Sequence, residues 1–130
     1  MTLSKSQYTR ALQCQKSLWL YKHRPDLRDL PDDTQEALFD TGHEVGDLAK
    51  RLFPDGVEVA FDRADFEGMI TQTRSLMESG VDVIYEATFK ERGIFVMVDI
   101  LVRRGEVWDL YEVKGSTRTK AQYLDDVAIQ

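Results

Sequence analysis

Asp99 lies inside the apolar run IFVMVDILV, and Glu112 and Lys114 lie inside WDLYEVK. A carboxylate in the middle of a buried strand costs several kcal/mol unless a partner neutralises it. Two carboxylates and an amine on neighbouring strands can hold a hard divalent cation through oxygen and keep an ammonium beside the reacting group. The same residues can also close on themselves, as an ion pair of Lys114 with Glu86 or Asp99 on a solvated face.

The elements that must position them are strands. Residues 81–90, 94–103 and 106–114 are rich in Val, Ile, Tyr and Phe and are separated by Arg92-Gly93 and Arg104-Gly105. They predict a three-stranded antiparallel meander. The strand around Asp99 is apolar on both faces, which calls for helices on both sides of the sheet. Alternation puts Trp108, Leu110, Glu112 and Lys114 on one face. With Arg104-Gly105 as a two-residue loop, Asp99 faces Leu110 and has Glu112 as its diagonal neighbour, roughly 7–8 Å away between backbones. With Arg92-Gly93 as the other loop, Glu86 stands directly across from Asp99. Three carboxylates so placed repel one another, and a divalent cation or Lys114 is the simplest compensation.

Around the strands the sequence predicts helices. Ser4 with Gln7 reads as a capping box opening a helix over about Lys5–Tyr21, with a break near Cys14 and apolar residues Tyr8, Leu12, Leu18, Trp19 and Leu20. HRPDLRDLPDD is a loop. A second helix starts at Asp32 or Asp33, with Gln35 or Glu36 in its first turn. Leu38, Val45, Leu48, Ala49 and Leu52 form its stripe, and Phe53-Pro54 closes it. Gly42 and Gly46 cost about 1 kcal/mol each in a helix interior. Close packing on the sheet is the expected reason for them, and it would carry His43 toward the carboxylates. Residues 56–61 read as a short extended piece, about Asp65–Glu78 as a third helix stopped at Ser79-Gly80, and Lys120–Gln130 as the start of another.

At 130 residues and 42% hydrophobic, the chain makes one mixed α/β (α+β) domain, with 1–30 a basic helical segment and 31–130 the core. It contains no apolar run long enough to span a membrane and no apolar stretch typical of a signal peptide. A single cysteine forms no internal disulfide and fits a reducing, cytoplasmic setting. Residues 1–28 hold six basic residues against Asp26, a net of +5, which leaves −11 on the rest of a chain whose net charge is −6. Such a distribution suits both local phosphate contact and ordinary solvated faces.

The order helix, meander, helix, with Asp on the second strand and E-x-K on the third, resembles the PD-(D/E)XK nuclease core, a restriction-endonuclease-like fold. Gly42-His43 within DTGHEVGDLAKRLF resembles the helical histidine motif of its RecB-like branch. LSKSQYTRALQCQKSLWLY is similar to the opening of the CRISPR-associated iron–sulfur exonucleases and of an uncharacterised bacterial family carrying this domain at its N-terminus. The resemblance implies that His43, Asp99, Glu112 and the carbonyl of Val113 bind Mg²⁺ or Mn²⁺. It implies that Lys114 orients or deprotonates the attacking water, for which its pKa must be depressed. Glu86 and Gln130 take supporting places. Cys14 corresponds to the first ligand of a [4Fe–4S] cluster whose other cysteines lie far downstream in the relatives. Lys5, Arg10, Lys16, Arg118 and Lys120, with Tyr8 and Trp19, are candidates for DNA contact, although the two aromatics fit a core better than a stacking platform.

The chain departs from the pattern. Val98-Asp99 replaces Pro-Asp, only one cysteine is present, and the motif tyrosine after E-x-K and the closing strand are missing. The expectation is therefore an N-terminal portion of a longer protein, with the C-terminal remainder as its partner and its oligomeric state open. The implied function is metal-dependent hydrolysis of DNA phosphodiesters at ends or in single strands. The alternatives are an inactive nuclease-fold domain that binds nucleic acid or a protein, and a structural piece of a repair complex.

Overall fold

A computed structural model of the chain describes residues 2–29 and 33–130, with the backbone alone over 33–40. The elements run β1 (Leu3–Ser4), α1 (Lys5–Gln13), α2 (Gln15–His23), a 3₁₀ turn (Pro25–Leu27), α3 (Asp33–Lys50), β2 (Val57–Glu58), α4 (Phe66–Glu78), β3 (Val83–Glu91), β4 (Ile94–Arg104), β5 (Val107–Tyr111) and α5 (Ala121–Ala128). The expected first turn of α3 at Asp32, Gln35 and Glu36, and Leu38 of its stripe, lie outside the described side chains.

The protein is a mixed α/β fold around a curled sheet. The expected meander, β3–β4–β5, is its centre, but the sheet is mixed and wider than that meander. β2 pairs in parallel with β3, and β1 pairs in parallel with the start of β4. β1 and β5 thus share one edge of β4, β1 at Ile94-Phe95 and β5 at Ile100–Arg104. The β3–β4 loop is Arg92-Gly93, with φ of +47° and +80°, the doubly left-handed turn that matches the twist of a hairpin. The second loop is Gly105-Glu106, not Arg104-Gly105, because Arg104 itself pairs with Val107. Only Gly105 of the two has positive φ (+65°), the geometry that needs glycine first.

The capping box forms as expected: Ser4 Oγ accepts from the Gln7 N–H, and the Gln7 side chain accepts from the Ser4 N–H. Cys14 is extended (φ −164°, ψ 109°) and splits the predicted helix into α1 and α2. Neither piece has a fully buried side chain, and Trp19 is 55% exposed against His23 instead of joining the core.

Two apolar clusters sandwich the sheet. On the α4 side, Met69 packs with Val59, Ile84, Ala87, Val98 and Leu101. On the other, Tyr85, Ile100 and Val102 pack with Ala49, Phe53, Tyr111 and Val113. Tyr85 Oη donates to the Phe53 carbonyl in the turn after α3 and lies 3.3 Å from the Lys50 carbonyl, which also accepts the Phe53 N–H (3.0 Å). α3 meets the sheet through Ala49 and the turn after it. Leu48 and Leu52, expected to face the core, are 61% and 77% exposed.

Candidate functional site

The site begins with an irregularity in β3 and β4. Ile84 pairs with Leu101 on the α4 side, and Tyr85 with Ile100 on the α3 side. Simple alternation would keep Ala87 with Tyr85, yet Ala87 and its partner Val98 belong to the α4 cluster. Both strands therefore change phase at the intervening position, which is Glu86 opposite Asp99. The register is the same on either side of it, so no residue is inserted. Glu86 takes up the change with φ +56°, a left-handed conformation that costs a bulky residue of order 1–3 kcal/mol. The local polar groups adapt: Thr88 Oγ1 donates to the Glu86 carbonyl (3.0 Å), and the Thr88 N–H donates to Thr73 Oγ1 of α4 (2.8 Å).

The phase change turns Glu86 and Asp99 into a cavity of about 370 Å³ under α3, lined also by Gly42, His43, Lys50 and Val113. A Cβ added at Gly42 or Gly46 would meet nothing within 4 Å. These glycines therefore do not admit a close helix–sheet contact, as expected from the sequence; they leave room in the roof of a cavity. Among the described side chains of α3, Ala49 near its C-terminal end packs on the sheet, and nothing stands within 4 Å of a Cβ at Gly42 or Gly46 on either side of His43.

Glu112 occupies a neighbouring place. β5 ends at Tyr111, opposite Ile100, so Glu112 and Lys114 follow the strand instead of lying in it, and the position across from Asp99 is Glu112 itself, not Leu110. The Val113 N–H donates to Asp99 Oδ2 at 2.6 Å, tying this departure to the site. Glu112 lies in a second cavity with Lys114 and α5, so it does not share Asp99's cavity. Its side chain is 5% exposed and fully engaged. Lys5 Nζ lies 2.8 and 2.7 Å from its two oxygens, Lys114 Nζ 2.6 Å from Oε1, and Gln130 Nε2 2.6 Å from Oε2. Lys114 also pairs with Asp126 Oδ2 at 2.9 Å.

The titration directions follow from these contacts. Burial raises the pKa of Asp99 and of Glu86; for Glu86, the Asp99 charge adds to the rise. For Asp99, the Val113 N–H opposes the rise and the Glu112 charge supports it. Burial also works against ionisation of Glu112, but the hydrogen bonds from Lys114, Lys5 and Gln130 outweigh it and hold its pKa below the usual value. Lys114 is desolvated as well, yet Glu112 and Asp126 keep its pKa above that of a free lysine. The depressed lysine pKa required of a general base is thus absent, because two carboxylates surround the ammonium.

The donor chemistry fits a divalent cation. One cavity offers three carboxylates (Asp47, Glu86 and Asp99), an imidazole and a backbone segment at Val113, under a roof that two glycines leave open. Lys50 also lines it and acts on Glu86 by its charge, but among the described residues no ammonium forms an ion pair with Glu86 or Asp99. Gln130 Oε1, beside Glu112, is buried without a donor among the described residues. The side chains are not gathered into a cage: among the described residues, no three His, Cys, Asp or Glu side chains converge on one point.

Comparison with protein-family models, with curated proteins and with solved structures finds no match to this chain.

Of the residues singled out in the sequence, Glu86, Asp99 and His43 line one cavity, and Glu112, Lys114 and Gln130 form one hydrogen-bonded group beside it. Arg118 lines the second cavity. The remaining candidates lie elsewhere. Arg10 donates to Ser17 and stacks on Tyr21, Lys16 is exposed, Lys120 lies over the Tyr123 ring, and Cys14 is an exposed free thiol at the helix break. Lys5 is not the free phosphate contact expected of it, since Glu112 takes its charge. No sequence signal placed it: it follows a two-residue strand whose pairing with the open edge of β4 is long-range. Asp126, the second partner of Lys114, lies in the last helix and carried no recognisable motif.

Proposed function

We propose that this domain hydrolyses phosphodiester bonds of nucleic acid, DNA first, using Mg²⁺ or Mn²⁺, on a restriction-endonuclease-like core of the PD-(D/E)XK type. The observation that carries this reading is the pair Glu86 and Asp99. A strained backbone at Glu86 sets two carboxylates opposite each other, and both open into a roofed cavity. Among the described residues neither forms an ion pair with a lysine, Lys50 acting on Glu86 only through its charge. A purely structural site would gain by replacing or pairing one of them.

In this reading Asp99, Glu112, His43 and the Val113 carbonyl hold the cation, with Glu86 supporting. The bound metal would polarise the phosphate and lower the pKa of its water. Asp99 is oriented by the Val113 N–H, which occupies Oδ2. Lys114 keeps its proton and acts as an ammonium, placing positive charge where the phosphoryl oxygens become more negative. Gln130 fixes Glu112 from the side of α5. The test is cleavage of end-labelled single- and double-stranded DNA with Mn²⁺ and with EDTA. Asp99→Ala and Lys114→Ala should each abolish it, and undiminished cleavage in both variants would remove the proposed site.

A second reading has its own observation. Glu112 is saturated by Lys5, Lys114 and Gln130, as in a nuclease-fold domain that no longer cuts and instead binds nucleic acid or a protein. Calorimetry separates the two: no heat on adding Mn²⁺, together with retained binding of a DNA oligonucleotide, would favour the second.

A further inference from the structure

Lys5 is an unusual residue to find at a metal-dependent centre. It is the first residue of α1, where the positive end of the helix disfavours a cation by about 0.3–1 kcal/mol. Its position is nevertheless fixed: Leu3 and Ser4 pair with Ile94 and Phe95, and the Ser4–Gln7 capping box sets the first turn. From there Nζ reaches Glu112 and lies within hydrogen-bond distance of both carboxylate oxygens, with the side chain 18% exposed. Its charge also reaches the neighbouring cavity, where it opposes, without overcoming, the rise in the pKa of Glu86 and of Asp99.

The two lysines on Glu112 are not equivalent. Lys114 has a second carboxylate, Asp126, that can keep it in place if Glu112 is taken by something else. Lys5 has no other ion-pair partner among the described residues. We infer that Lys5 is the internal counter-ion of this centre, holding Glu112 while no divalent cation is bound and giving it up when one binds. This inference rests on the metal-dependent reading and makes Lys5 a positioning residue that sets the metal affinity. Glu112 stays ordered and ionised without metal, and the cation must displace an ammonium to gain it.

The experiment is calorimetric titration of Mn²⁺ into the wild-type chain, Lys5→Met and Lys5→Arg, with thermal unfolding of each in EDTA. Methionine keeps most of the length of the side chain and removes its charge. Lys5→Met should bind Mn²⁺ about tenfold more tightly, the scale of losing one competing charge-assisted hydrogen bond. Its melting temperature should fall in EDTA and recover with Mn²⁺, since Glu112 then keeps Lys114 alone as an ammonium partner until the metal binds. Lys5→Arg, with a fork that pairs both carboxylate oxygens, should bind Mn²⁺ more weakly than wild type. If Lys5→Met does not fold, the arginine variant decides alone: binding as tight as wild type overturns the inference. If the wild type binds Mn²⁺ and Lys5→Met binds it no more tightly, the counter-ion role falls and the metal reading stands. If no Mn²⁺ binds to any of the three, both fall.

Discussion

Glu86 and Asp99 face each other where β3 and β4 change faces together, and Glu86 adopts φ +56° to stay in register. The distortion puts two carboxylates into a cavity on the α3 side, where an undistorted sheet would have turned both, with Ile84 and Leu101, toward the α4 core. Burial makes both harder to ionise; the Asp99 charge adds to the effect at Glu86, and the Glu112 charge adds to it at Asp99.

The first prediction is a dependence on pH and on metal. Both carboxyls have folded pKa values above their ordinary ones, so between those values the folded state holds more protons than the unfolded state. Stability due to this pair therefore falls as pH rises from the ordinary carboxylate range through the raised values. Glu86→Gln should remove much of that fall and raise the melting temperature at pH 7 in EDTA by about 3 °C. Mn²⁺ should stabilise the wild type more than the variant. Thermal melts between pH 4 and 8, with and without Mn²⁺, measure both; a variant less stable than wild type in EDTA at pH 7 contradicts the account.

The glycines of α3 should separate stability from function. Gly42→Ala and Gly46→Ala add a methyl group where nothing stands within 4 Å. Each should stabilise the protein by about 0.5–1 kcal/mol through helix propensity alone. Each also narrows the cavity roof, so Mn²⁺ binding and DNA cleavage should weaken while denaturant midpoints rise. A loss of stability would show that these positions are packed.

Gly56 makes the opposite case. A Cβ there would lie 2.6 and 2.7 Å from Cε2 and Cε1 of Tyr85, whose hydroxyl is held by the Phe53 carbonyl in the turn after α3. Gly56→Ala should cost about 1–3 kcal/mol by overpacking. The cost should shrink in a Tyr85→Leu background, and a double-mutant cycle in urea measures that coupling. Equal costs in both backgrounds would mean that the ring is not the obstacle.

Thr73 should matter more than its size suggests. Its hydroxyl donates to the Met69 carbonyl (3.0 Å) and accepts the Thr88 N–H two residues beyond Glu86. Both threonines are fully buried, so Thr73→Val leaves an amide without a partner at a cost of about 1–3 kcal/mol. Thr73→Ser keeps the hydroxyl and should recover most of it. Equal losses in the two variants would assign the effect to the methyl group.

The amino-acid sequence by itself determined the local elements. The capping box at Ser4, the break at Cys14, the strands rich in β-branched residues and the Arg92-Gly93 turn are each written in a few adjacent residues, because caps, turns and alternation are short-range physics. The opposition of Glu86 and Asp99 was legible for the same reason, since a two-residue turn sets a register. The next hairpin was not. Arg104-Gly105 and Gly105-Glu106 place the glycine equally well, and the observed choice moved Glu112 from a diagonal to a directly opposed position.

Only the tertiary structure decided how the charges are shared. Lys5 meets Glu112 across 107 residues because β1 finds an open edge of β4, which no local pattern encodes. Lys114 stays an ammonium because Asp126 returns to it from α5. Asp99 turns toward Glu86 and His43, away from the cavity of Glu112, because helices pack on both faces and both strands shift phase between them. Alternation tells which residues can share a face; burial and long-range pairing decided which of them do.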